Sequence, residues 1–264
     1  MNITRHCKQH SIKKRPICWK LSMSKKQLKR GTEIAPGIYW IDGGGGNFYL
    51  CEEPEGLTLI DTGMPKRQHL VLQLIDELGY APQDLKQILI THADLDHAGS
   101  LAAIQAETGA VVYAGAETAV HLTTGSTPKH LPRIMDFVIR RVMGGIQPIS
   151  SDIIKSFTDG ESLPFLGGLQ MLATPGHTMD HYAFYCATTG VLFAGDALNT
   201  RNGRLQAILP FITANQEAAT QSAIRLLELS PAIIACGHGK PFTNHGMDTL
   251  MTLFNQLRKQ GGTK

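Results

Sequence analysis

The 264 residues, 42% of them hydrophobic, suffice for one large core or two small ones, and no apolar run reaches the ~18 residues of a membrane span. Five scattered cysteines (Cys7, Cys18, Cys51, Cys186, Cys236), odd in number and without a CxxC pair, argue against a disulfide framework and fit a reducing, cytoplasmic compartment. The formal charge of +3 belongs to one end: residues 1–32 carry ten Lys or Arg and no acid, leaving 15 basic and 22 acidic residues, net −7, beyond them.

The basic stretch 1–31 reads as a disordered leader, with Met23-Ser24-Lys25-Lys26 as an alternative start. An acidic body makes nucleic acid an unfavoured partner. The folded part is expected over 32–264. Gly37–Ile41, Asn47–Cys51 and Leu57–Ile60 read as three strands, with Gly43 to Gly46 as a hairpin connection rather than a phosphate cradle, since no GKS/T ending follows. Leu70, Leu72, Leu74, Ile75 and Leu78 have helical spacing over 68–78. Gln87–Ile90 is a strand, Ala98 opens a helix closing at Thr108-Gly109, Val111–Ala114 is a strand and 115–122 a short helix.

Residues 123–150 form an insertion punctuated by Gly125, Pro128, Pro132 and Pro148, with one helix over 134–143 that carries Arg140 and Arg141. Such a segment is expected to be a lid or binding loop rather than a domain. Strands follow near Phe157, at 162–165, 169–173, 182–186 and 191–194. A helix over 215–229, a strand at 232–235 and a helix over 244–259 complete the chain.

The chemistry sits where these strands stop. Asp61, the run His92-Ala93-Asp94-Leu95-Asp96-His97, His177, Asp196 and His238 each follow a strand and stand near small residues. Imidazoles and carboxylates are costly to bury unless paired or coordinated. Delivered by successive strands, they can converge on one sheet rim as a metal site.

In order, Leu-Ile-Asp-Thr-Gly, Thr-His-x-x-x-Asp-His, Thr-Pro-Gly-His-Thr, Ala-Gly-Asp and Cys-Gly-His-Gly resemble the motifs of the metallo-β-lactamase superfamily, in its glyoxalase II-like and lactonase-like branch. The resemblance implies an α/β fold, an αββα sandwich of two mixed sheets with helices outside. It implies two divalent metals, zinc by family habit, bound by His92, Asp94, His177 and Asp196 on one side and by Asp96, His97, Asp196 and His238 on the other. It further implies hydrolysis of a small-molecule ester, lactone or thioester by a hydroxide shared between the metals, with Asp96 catalytic as proton carrier.

Asp61 matches a family aspartate that supports the site from behind the ligands; a helix N-cap or turn role fits its spacing equally. His181 is read either as a structural hydrogen-bonding residue or as a contact behind the metal or to substrate, and a second donor to the developing oxyanion is expected from the 123–150 insertion or from Tyr182. One position departs from the family pattern. Asp94 stands where HxHxDH has its second histidine, and its harder oxygen opens the site to iron or manganese or weakens the first metal. Alternatives within the same fold are a mononuclear-iron sulfur dioxygenase and a phosphodiesterase or nuclease. The expected partner is a small molecule, not a membrane, and the choice between monomer and homodimer is left open.

Overall fold

The computed structural model describes residues 28–201, 203–243 and 247–261, so the basic leader expected at 1–31 lies mostly outside them. Leu28 already packs on the first hydrophobic core, and the Lys29 backbone N–H donates to the Glu77 carboxylate (2.9 Å). The last residues assigned to the leader therefore touch the folded body.

In chain order the elements are β1 (Thr32–Ala35), β2 (Ile38–Asp42), β3 (Asn47–Glu53), β4 (Gly56–Ile60), α1 (Gln68–Glu77), β5 (Leu85–Ile90), α2 (Leu95–Ala98), α3 (Leu101–Thr108), β6 (Val111–Gly115), α4 (Ala116–Thr124) and α5 (Arg133–Met143). There follow β7 (Ile154–Phe157), β8 (Ser162–Leu163), β9 (Leu169–Ala173), β10 (Tyr182–Cys186), β11 (Val191–Gly195), β12 (Leu198–Asn199), β13 (Gln206–Ala207), α6 (Gln216–Glu228), β14 (Ile233–Cys236) and α7 (Met247–Gly261).

Strands β1 to β7 form one sheet in chain order, antiparallel as far as β4 and parallel from β4 to β7. A second sheet runs β14-β11-β10-β9-β8, parallel only between β11 and β14. Side chains along a strand alternate between faces, and the alternation sorts the core into layers. Leu50, Ile88 and Ile90 face a helical layer with Val71, Leu74, Leu101 and Ile104, whereas Tyr49, Cys51 and Leu89 face the other sheet. Phe184 and Phe193 meet them between the sheets, while Ala183, Leu192 and Ile234 pack outward on Leu226, Leu250 and Leu253 of α6 and α7. The result is the expected αββα sandwich of two mixed sheets.

Several expected elements shift. The helix anticipated after the His92–His97 run is two pieces, and the first, α2, already contains Asp96 and His97. The strand read at 162–165 stops at Leu163, because Phe165 turns in a short 3₁₀ segment and fills the inter-sheet core. β1 and the small β12–β13 ribbon were not legible, being two to four residues long. Within the insertion, α5 leaves Ile134, Phe137 and Val142 at 81%, 69% and 75% exposure, while Ile146 returns to the core.

Candidate metal centre

Both sheets contribute to one rim. Asp61 follows β4, the His92–His97 run follows β5, His177 and His181 stand between β9 and β10, Asp196 follows β11 and His238 follows β14. The rims are tied together by β3. Asn47 donates its backbone N–H to the Gly237 carbonyl (2.7 Å) and its side-chain amide to the Cys236 carbonyl (3.0 Å), which also accepts the Tyr49 hydroxyl (2.7 Å). The Gly43–Gly46 connection is the hairpin expected, and its glycines serve the rim. A Cβ on Gly46 would lie 2.2 Å from the Asp96 carbonyl oxygen, so only glycine lets this turn lie under the site.

Side chains able to hold a metal form three groups, each with donor atoms within 4.8 Å of one another: His92, His177 and Asp196; Asp96, His97 and His238; and Asp94, His130 and His177. The first two groups contain residues expected from sequence. Asp196 stands between them, its Oδ2 3.1 Å from His238 Nε2 and 3.5 Å from His177 Nε2, and its Oδ1 3.3 Å from His97 Nε2. Asp94 Oδ2 lies 3.1 Å from His177 Nε2 and 3.5 Å from His92 Nε2. Asp96 Oδ2 is 3.3 Å from His238 Nε2, and Asp96 is the most open of the carboxylates at 29% side-chain exposure.

Each ring is aimed by what its other nitrogen meets, which leaves Nε2 toward the site. His177 Nδ1 donates to the Ile212 carbonyl (2.8 Å), His238 Nδ1 to the Gly45 carbonyl (2.8 Å) and His97 Nδ1 to the Asp61 carboxylate (2.8 Å). His92 Nδ1 meets the Thr91 hydroxyl (3.0 Å), which donates in turn to Asp61 (2.8 Å). One buried carboxylate thus orients two imidazoles. Asp61 caps no helix, since α1 begins only at Gln68, and it holds φ at 59°.

Burial disfavours charged imidazole at His97, His177 and His238, but Asp196 with Asp61, Asp94 or Asp96 outweighs it and raises all three pKa values. Burial would likewise raise the Asp94 carboxyl, yet contacts from His177 and His92 hold it well below the usual carboxylate range. The rim therefore favours positive charge. His92 Nε2, His97 Nε2 and Asp196 Oδ1 are buried without a hydrogen-bond partner, an arrangement that costs free energy unless a cation holds the donors together. The donor set fits metals with mixed nitrogen and oxygen preference.

His181 uses both ring nitrogens. Nε2 accepts the Asp196 backbone N–H (2.9 Å), so Nδ1–H donates to the Thr174 hydroxyl (2.7 Å). Burial keeps it neutral, its pKa well below 6.5. Of the two roles open to it, this geometry is the structural one.

The oxyanion role expected of Tyr182 needs correction. Its ring packs on Phe157 between the sheets and does not line the cleft, because β10 turns this side chain to the face opposite the outward-packed Ala183. Only its backbone N–H serves the site, donating to the Thr91 carbonyl (2.8 Å).

Two residues that the structure brings to the centre were not read from the sequence. Buried Asp180 accepts the Ala93 N–H (3.2 Å) and the Thr118 hydroxyl (2.8 Å), pinning the motif loop to α4; its place beside His181 was the available signal. His130 of the insertion reaches Asp94 Oδ2 (3.2 Å), and no spacing rule links a lone loop histidine to a motif. Arg141 is exposed, and the Arg140 side chain lies outside the described residues.

A cleft of about 640 Å³ opens onto these groups. Leu95, Leu131, Met135, Val142, Met143 and Ile212 line its apolar wall, and Lys66, Arg67 and Arg201 give it a cationic edge.

Residues 41–238 match the profile of the Metallo-beta-lactamase superfamily. The probable metallo-hydrolase YflN of Bacillus subtilis (strain 168) is 27% identical over 86% of this chain and 93% of its own. An N-acyl homoserine lactonase of Bacillus thuringiensis is 27% identical over 72% of this chain and 79% of its own. Among solved structures, a B3 metallo-beta-lactamase with an active-site glutamic acid superposes with a TM-score of 0.66 at 25% identity, covering 87% of each chain.

Proposed function

The chain belongs to the metallo-beta-lactamase superfamily and is a metal-dependent hydrolase, and from that premise we propose that it cleaves carboxylic esters or lactones bearing an apolar acyl chain. The observation that carries this reading is the cleft, where the metal-ligating groups meet an aliphatic wall from the insertion. The lactonase relative supports it. Retention of both Asp96 and His238 favours two metals over the single iron of a sulfur dioxygenase. The three described cysteines are free and buried, which fits a cytoplasmic setting, and no helix among the described residues is long and apolar enough to cross a membrane.

His92, Asp94, His177 and Asp196 would hold one metal, and Asp96, His97, Asp196 and His238 the other, with zinc, iron or manganese compatible with the donors. Bound there, such cations supply Lewis acidity, polarising a carbonyl and acidifying water. The protein's own residues do the rest. Asp61, Thr91 and the Ile212 and Gly45 carbonyls hold each Nδ1–H and so keep every Nε2 lone pair on the site. Asp96, the most solvent-open carboxylate, is placed to take a proton from the attacking water and deliver it to the leaving oxygen. Leu131, Met135 and Val142 seat the acyl chain and exclude water from one side of the carbonyl.

Elemental analysis combined with a panel of p-nitrophenyl esters, N-acyl lactones, thioesters and phosphodiesters tests the proposal. We expect more than one equivalent of transition metal. We also expect kcat/KM to rise with acyl length by up to about fourfold per methylene, from ~0.8 kcal/mol of transfer free energy each. Faster turnover of phosphodiesters, or rates insensitive to acyl length, would overturn it.

A further inference from the structure

We propose that His130 is itself a metal ligand, supplying to the first site the imidazole that the motif lacks at Asp94. The proposal rests on the metal-dependent reading above. Its ground is a ring brought from an exposed insertion into the centre. His130 stands between Pro128 and Pro132, yet its side chain is only 5% exposed. Its Nε2 lies 3.2 Å from Asp94 Oδ2, and its ring centroid is 4.6 Å from that of His177.

Asp94, His130 and His177 present donor atoms as close together as the two groups built from the motif residues. His130 Nδ1 is buried and makes no hydrogen bond of good geometry; the Pro128 backbone lies beside the ring without fixing it as Ile212 fixes His177. A buried imidazole packed against Asp94 and His177 is explained by a cation shared among them.

The chemistry is complementary. A carboxylate is shorter than an imidazole and reaches less far from the His92–His97 loop. A histidine approaching from the opposite wall supplies nitrogen while Asp94 supplies charge. Four side chains (His92, Asp94, His130 and His177) together with the shared Asp196 then surround the first site. Through His130 the loop leading into α5 is tied to the metal, and with it the aliphatic wall of the cleft.

The test uses the full chain, stripped with a chelator and titrated with cobalt(II). Wild type, His130→Gln and His130→Ala are compared for bound cobalt, for competition against a chelator and for the d–d absorption spectrum. Glutamine keeps a hydrogen-bond donor toward Asp94 but is a poor ligand. The expected result is two equivalents in wild type. In both variants one equivalent should weaken by more than the roughly 10–100-fold that loss of a merely orienting residue costs, with loss of d–d intensity. Matching circular dichroism of the metal-free proteins checks the fold. Two tightly bound equivalents with an unchanged spectrum in His130→Gln would overturn the role of His130 alone. A wild type that takes up no cobalt would overturn the metal reading as well.

Discussion

Removing the Asp61 carboxylate takes away two things at once, the acceptor of the His97 Nδ1–H and that of the Thr91 hydroxyl that orients His92. Asp61→Asn should therefore lower the affinity of both metal sites by roughly 10–100-fold, as read by chelator competition, without touching a metal directly. At His181 the consequence is a pH dependence. Its folded-state pKa lies well below 6.5 because the ring is buried and Nε2 must stay an acceptor for Asp196 N–H. The unfolded chain binds this proton first, so the contribution of His181 is complete above pH 6.5 and is lost as pH falls below it. Chemical denaturation of wild type and His181→Asn, both metal-free, should show the wild-type advantage shrinking at up to about 1.4 kcal/mol per unit below pH 6.5.

At the scale of elements, the strand ends set the tolerance of the site. Gly237 follows β14, and a Cβ there would lie 2.2 Å from Asp196 Oδ1 and 2.6 Å from His97 Cε1. Gly237→Ala should thus spread the ligands and abolish stoichiometric metal binding, measured by elemental analysis after gel filtration. Helix α5 acts on substrate instead. Met135 and Val142 line the cleft wall, so Val142→Asn should raise KM for long-acyl esters about fourfold or more and leave kcat on an acetate ester unchanged.

The legibility of these elements follows from their physics. Leu59-Ile60 and Ile88-Leu89-Ile90 announce buried strands by apolar content alone, and a polar group placed right after them is visible without coordinates. His130 meets Asp94 through approach between segments distant in sequence, for which local pattern carries no signal, whereas Asp180 offered only its place beside His181. Tyr182 opens β10, and its ring falls on the face packed between the sheets, a direction that its position after His181 does not reveal.

For the whole molecule, ligands drawn from both sheets make a bound metal a cross-link. A species that binds only the folded state adds stability by mass action, about 2.7 kcal/mol per site at 100 times its Kd. Chelation should therefore lower Tm by roughly 5–10 °C for each site emptied, by the conversion for chains of about this size, with recovery on adding metal back. An unchanged Tm in calorimetry would show that protein contacts, among them those of Asn47 and Tyr49, suffice to hold the rims together.

The position of His238 after β14, the last strand among the described residues, bears on biosynthesis. During synthesis β1 to β11 emerge with His92, His97, His177 and Asp196 before β14 can pair with β11 and carry His238 into place. The centre therefore closes only after β14 has left the ribosome. A fragment that stops short of β14 lacks both the partner strand and the final imidazole. Capture of a second metal would then report that β14 has paired, and the full two-metal centre is withheld from every product that stops short of it.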